Sequence, residues 1–232
     1  MAISLESHTA QKPVITISLI DGDSFAELQQ AALVQIKSFD PFPEYTDVIE
    51  PVPRLPMEQR IDSLARRIAY KLTPHEGEKA SHVGYKATNG KGEIVGIGYW
   101  MRPGRRFKLY NPSEMTEAER GMYAQYDMEK YTSLYTAFQE KIDEVTQARP
   151  TWYLEILAIH PDHQKQSIGS KLLDHHLSSI NPDELAWLES SPAGQRLYLS
   201  RGFEDVGEVV APGWGGEGFP AMMRKSNAER SA

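Results

Sequence analysis

The sequence predicts a mixed α/β fold, and three observations predict it. From Trp152 onward, runs of strand character alternate with runs of helical periodicity, an order that builds α/β layers rather than a helix bundle or a β-sandwich. The chain has 232 residues, 40% of them hydrophobic, enough to bury a sizeable core without covalent staples. It contains no cysteine, which removes disulfides, thiolate zinc sites, iron-sulfur clusters and a cysteine nucleophile together.

The elements follow in chain order. Residues 1–13 are polar and read as a flexible tail, without the apolar stretch of a signal peptide. Val14 to Ile20 is β-branched and stops at Asp21-Gly22-Asp23, a strand and its turn. Phe25, Leu28, Ala32, Leu33 and Ile36 recur at helical spacing, with Asp23 or Ser24 placed to cap them. Prolines 41, 43, 51, 53 and 56 predict a connection with no regular element. Met57 to Leu72 is helical, with Met57, Ile61, Leu64 and Ile68 on one stripe and Arg60, Arg66 and Arg67 off it. Residues 82–88 and 93–101 flank Asn89-Gly90-Lys91-Gly92 as a hairpin. A basic loop, 103–112, precedes Thr116 and Glu119, which have capping-box spacing. Helical periodicity then runs to about residue 147 as one helix or two. The last third predicts strand 152–159, turn 160–166, helix 167–180, strand 185–190, helix 193–200 and strand 203–210.

Formal charge is −7 with pI near 5.5, which gives no electrostatic reason to bind nucleic acid or an anionic membrane. No run of apolar residues is long enough to span a bilayer, so a cytoplasmic protein is expected. Neither G-x-x-x-x-G-K-S/T nor G-x-G-x-x-G occurs. The glycine-rich segment from Pro212 to Gly218 has no helix after it and reads as a lid or wide turn. His160 and His163 flank a Pro-Asp turn, and His175 and His176 point to different sides of a helix, His176 into its apolar stripe; no metal site is expected.

Chemistry concentrates at Gln164-Lys165-Gln166-Ser167-Ile168-Gly169, between a strand and a strongly amphipathic helix. Unpaired amides and the positive end of the helix dipole favour an anion there, and Ser167, Gly169 and Ser170 are small enough for close approach. Residues 157–173, LAIHPDHQKQSIGSKLL, resemble the cofactor motif Q/R-x-x-G-x-G/A of the GNAT superfamily of N-acetyltransferases: Gln164 and Gly169 match, while Ser167 replaces the first glycine. Arg196 to Phe203 resembles that family's second motif through Tyr198 and Gly202-Phe203.

The resemblance implies a GNAT-like, mostly antiparallel central sheet flanked by helices. A single domain would span 14–226, with residues 103–150 as a helical insertion and 227–232 as a tail. It implies acetyl-CoA as cosubstrate, its pantetheine on the backbone of Leu157, Ala158 and Ile159. The pyrophosphate would lie on the amides of Gln164, Lys165, Gln166, Ser167, Ile168, Gly169 and Ser170. Tyr198 would stabilise or protonate the leaving thiolate; the alternative is a packing tyrosine. Glu155, a carboxylate on an otherwise apolar strand, is the candidate base, or else an ion-paired structural glutamate. The expected reaction is acetyl transfer to a small-molecule or protein amine by direct attack in a ternary complex, since no thiol exists to carry an acyl group. The alternatives are an inactive CoA-binding module, a hydroxyl acceptor and a longer acyl chain.

Overall fold

The computed structural model describes residues 14–42, 46, 49–75, 77–212 and 218–230. Its elements are β1 (Thr16–Leu19), α1 (Phe25–Phe39), α2 (Met57–Leu72), β2 (His82–Thr88), β3 (Ile94–Met101), α3 (Glu117–Met122), α4 (Met128–Thr146), β4 (Thr151–Ile159), α5 (Ile168–Leu177), β5 (Leu185–Glu189), α6 (Gln195–Leu199), β6 (Glu204–Val209), β7 (Phe219–Arg224) and α7 (Asn227–Arg230). The seven strands form one sheet in the order β1-β2-β3-β4-β5-β7-β6. Only β4 and β5 pair in parallel; every other neighbouring pair is antiparallel. The fold class is the mixed, mostly antiparallel sheet with flanking helices that the sequence predicts.

Helices cover both faces, which is why every residue of the central strand β3 is buried. On one face, Ile168, Leu172 and Leu173 of α5 and Tyr198 of α6 pack on Trp100, Trp152, Leu154, Leu188 and Met222. His176 sits among them, stacked on Trp100 at 4.1 Å between ring centroids, and burial pushes its pKa down to about 3, so it is a neutral core residue. On the other face α1 and α2 cover Ile97, Tyr99 and Ala158. Beside them, α4 covers Met101, Tyr153, Trp187 and Met223. Gly96 permits the close approach of α5: a Cβ there would lie 2.8 Å from Ile159 Cδ1 and 2.9 Å from Ile168 Cγ2.

Several expectations are resolved or corrected. The region after Pro112 holds two helices. Thr116 and Glu119 form the capping box of α3, and the Asp127 carboxylate accepts from the Glu129 and Lys130 amides to start α4 anew. The proline-rich connection is not free of regular structure. Thr46 and Ile49 are helical, and the Glu50 amide donates to the Thr46 carbonyl at 2.8 Å, in the proline-free interval between Pro43 and Pro51. Arg60 of α2 pins this segment, reaching Asp40 at 2.6 Å and Glu50 at 2.8 Å. Strand β7 was not foreseen, because a glycine-rich segment precedes it and Pro220 stands within it. Residues 227–230, expected in a tail, form α7, tied to Arg149 through Glu229 at 2.7 Å. The expected tail over 1–13 and glycines 213, 215 and 216 lie outside the described residues.

Candidate active site

The site begins with what β4 cannot pair. Among the described residues it meets β5 only through Thr151, Trp152 and Tyr153; from Leu154 to Ile159 it keeps β3 on one side and has no described strand on the other. A row of strand backbone groups there lacks a ladder partner, and such an edge accepts an extended ligand. Leu157, Ala158 and Ile159 lie on it. Ala158 is buried, and the Ile159 carbonyl is already engaged, by Ser38 Oγ at 2.7 Å and Gln164 Nε2 at 3.3 Å.

At the end of this edge the chain turns through Pro161–His163 into α5. The first intrahelical bond runs from the Lys171 amide to the Ser167 carbonyl, leaving the amides of Ile168, Gly169 and Ser170 without helical partners. Among the described residues, the loop amides of Lys165, Gln166 and Ser167 make no backbone hydrogen bond either. Gln164 differs: its amide donates to the Pro161 carbonyl at 3.3 Å, so its part is to fasten the turn to β4. Lys165 and Ser167 have φ of +60° and +61°. Ser167 thus occupies a left-handed position where glycine is unstrained. Gly169 has room: a Cβ there would meet Leu197 at 3.6 Å and Ile159 and Leu157 at 3.8 Å, ordinary contacts. The same distances show that the end of β4, the start of α5 and α6 converge around Gly169.

One residue beyond Leu197, Tyr198 points into the core formed with Leu154, Leu188 and Phe203. Gly194 gives it space, since a Cβ there would lie 2.9 Å from the Tyr198 ring. Burial pushes its pKa above the ordinary phenol value, and no protein acceptor takes its hydroxyl among the described residues. It is a neutral donor available to a ligand.

Glu155 lies on the opposite face. Tyr99 pairs with Ile156 and Trp100 with Leu154, so Glu155 is the extra residue of a β-bulge, turned toward α2 and α4. Its side chain is 4% exposed and is paired with Lys71 through Oε1, while His82 Nε2 stands 2.9 Å from Oε2 and Tyr135 donates to Oε1 at 3.4 Å. Burial alone would raise its pKa; the Lys71 ammonium and His82 outweigh that and hold the carboxyl well below the ordinary range. Burial lowers His82, leaving the imidazole neutral at pH 7, with Nδ1 2.8 Å from Ser81 Oγ. Glu155, Lys71 and Tyr135 line a cavity of about 20 Å³, room for a water. Glu155 and Tyr198 therefore do not touch; they flank the gap between β4 and β5 from its two faces.

Sequence reasoning missed Lys71, His82, Tyr135 and also Glu189. The last, at the end of β5, accepts from Tyr153 at 2.5 Å and Trp187 Nε1 at 2.7 Å, and burial without a cation pushes it up to about 7. One signal was present for α2: Arg60, Leu64, Arg67 and Lys71 recur at spacings of four, three and four, one continuous helix face. Among the described residues, no group of histidine, aspartate and glutamate side chains could hold a metal ion. No described helix is long and apolar enough to cross a membrane.

Residues 131–205, from α4 to the start of β6, match a family model described as an acetyltransferase (GNAT) domain. The structure is similar to that of a mosquito arylalkylamine N-acetyltransferase like 5b, with a TM-score of 0.59 at 13% identity, covering 90% of this chain and 99% of that one. It is also similar to a histone acetyltransferase HPA2 and related acetyltransferase from Corynebacterium glutamicum (TM-score 0.56, 19% identity, 93% and 97% covered). A third similar structure is the Drosophila melanogaster polyamine N-acetyltransferase (0.52, 13%, 90% and 98%). At these identities the likeness is one of fold. No curated protein matches the chain by sequence.

Proposed function

We propose, from the match of residues 131–205 to an acetyltransferase (GNAT) domain model, that this chain transfers an acetyl group from acetyl-CoA to an amine by direct attack in a ternary complex. The observation that carries the reading is an unpaired β4 edge running into a helix start with free amides, with Leu197, the chain neighbour of Tyr198, beside Gly169 at that start. The amides of Lys165 to Ser170 hold the pyrophosphate; neutral N–H donors at the positive end of α5 do this without a bulky cation. Backbone groups of Leu157, Ala158 and Ile159 hold the pantetheine as a strand would. The acetyl group then lies between Tyr198 on one side and Glu155 on the other.

The amine attacks the thioester carbonyl and the CoA thiolate leaves. Tyr198 donates its hydroxyl hydrogen to that sulfur. A phenol near pKa 10 giving its proton outright to a thiolate near 8.5 is uphill by about 2 kcal/mol, so hydrogen-bond stabilisation is its main contribution. With its pKa held far below that of the amine, Glu155 is too weak a base to keep the proton; as a fixed carboxylate it stabilises the ammonium that forms on attack, and the proton passes on to solvent. Lys71 keeps that carboxylate ionised across the neutral range, so the rise of rate with pH follows deprotonation of the amine. The relatives in fold named for arylalkylamines and a polyamine support an amine acceptor.

The test is thiol release from acetyl-CoA across a panel of amines. Turnover with at least one amine is expected. Tight CoA binding with no release for any amine would overturn the enzyme and leave a CoA-binding module; release with alcohols alone would overturn the acceptor class.

A further inference from the structure

Among the described residues, Arg67 is a buried cation without an anion. It lies one turn before Lys71 on the inner face of α2 and is 5% exposed. Its guanidinium carbon is 4.5 Å from the centroid of Tyr126, 5.4 Å from Tyr123 and 6.0 Å from Tyr131, and Nη2 donates to the Tyr126 hydroxyl at 2.8 Å. Nε and Nη1 are buried and have no acceptor. Among the described residues, no carboxylate comes within ion-pairing distance of Arg67, whereas buried Arg60 on the same helix has two, Asp40 and Glu50.

The charges around the cavity beside Glu155 do not balance. Burial lowers the Lys71 pKa, and Lys71 and Glu155 compensate each other as a pair; His82 is neutral, and the phenols of Tyr123, Tyr131 and Tyr135 are pushed by burial far above neutrality, so the Arg67 charge is left over. A guanidinium cannot shed its proton to escape burial. Stacking on tyrosine faces offsets part of the cost of burying this ion but gives Nε and Nη1 no acceptor. Arg67 and Glu155 line the same cavity, and so does Tyr99, whose buried hydroxyl also lacks a partner.

We propose that this cavity receives a carboxylate of the acceptor, held by Arg67 and the Tyr99 hydroxyl, so that the amine substrate is an amino acid or another compact amine bearing a carboxylate. The inference rests on the acyl-transfer reading and narrows its acceptor. A monoanion cancels the single surplus charge, while a phosphate dianion overshoots it. Guanidinium donors in a low-dielectric pocket favour a carboxylate over its neutral carboxamide by far more than they would in water. A cavity of about 20 Å³ admits only the two oxygens of a small head group, in place of the water, and leaves the body of the acceptor outside.

The experiment compares matched probes that differ only in this group: L-alanine, L-methionine and L-phenylalanine against their carboxamides and against ethylamine, 3-methylthiopropylamine and 2-phenylethylamine. One arm reads kcat/KM by thiol release; the acids are expected to exceed amides and plain amines at least tenfold, with the ratio falling toward one in Arg67→Met. The second arm needs no turnover. The N-acetylated acids should raise the midpoint of heat unfolding at millimolar concentration, their amides should not, and Arg67→Met should abolish the difference. If the Met variant does not fold, Arg67→Lys decides, because it keeps the charge and loses the planar donor array; a several-fold loss of acid affinity is expected. Equal protection by acids and amides, or protection undiminished in the variants, would overturn the carboxylate site. Absence of thiol release with every probe, alongside acid-specific protection that depends on Arg67, would overturn acyl transfer and leave the anion site standing.

Discussion

Tyr198 and Glu155 face one gap with opposite electrostatic settings. Tyr198 is surrounded by hydrocarbon and stays neutral, suited to donating a hydrogen bond that gains strength only as charge develops on sulfur. Tyr198→Phe should therefore lower kcat roughly a hundredfold and leave CoA affinity, read by calorimetry, within about twofold. Glu155 is ionised by its partners, so Glu155→Gln should lower kcat by a similar factor while keeping acetyl-CoA binding; an unchanged rate would return it to a purely structural ion pair with Lys71. Glu189 is a different kind of carboxylate, raised from 4.5 to about 7 by burial. Its folded value exceeds its unfolded one, so folding favours the protonated form: the penalty is absent below pH 4.5, grows between 4.5 and 7, and is complete above 7. Glu189→Gln should thus gain on the wild type over that window, by about 2 kcal/mol at pH 8 after allowance for partial exposure, as measured by urea unfolding at several pH values. Sequence marked Tyr198 by its motif and Glu155 by its apolar surroundings. It could not mark Glu189, whose pKa depends on Tyr153 from another strand and on burial.

At the level of elements, two glycines separate packing from ligand binding. Gly96 lies under α5 with no room for a methyl group, so Gly96→Ala should cost about 1–3 kcal/mol and lower the unfolding midpoint. Gly169 has ordinary contact distances around it, and within a helix alanine is favoured by about 1 kcal/mol. Gly169→Ala should keep or raise the midpoint; if the amides at this helix start hold the pyrophosphate as proposed, the added methyl should also weaken CoA binding at least tenfold by titration. α5 was legible because its amphipathic period, small residues and unpaired amides are contained in one short segment. α2 was legible as a helix, with bounds as predicted, but not in its buried face. Arg60 and Arg67 look solvent-directed to a hydrophobicity pattern, and only Asp40 and Glu50 around one, and tyrosines from α4 and the turn before it around the other, make their burial tolerable. The bulge that turns Glu155 toward α2 is likewise a property of β3 and β4 together, visible only in their register.

For the whole molecule, the parallel pairing of β4 with β5 is the decisive feature. It ends at Tyr153, leaving a gap beside the rest of β4 among the described residues. A ligand filling that gap ties the two halves of the sheet together, so saturating CoA should raise stability by about 2.7 kcal/mol at a hundred times its Kd, seen as a concentration-dependent rise in the heat-unfolding midpoint. The sequence by itself determined the layered α/β class, most elements, the absence of thiol chemistry and the unpaired amides at the start of α5, because periodicity, caps and helix-end amides are local properties of short segments. Only the tertiary structure decided which charges are compensated. Glu155 meets Lys71 across 84 positions of sequence, while Arg67 meets tyrosines and no carboxylate. The state of a buried ion is set by whatever the fold brings within a few ångströms of it, irrespective of distance along the chain.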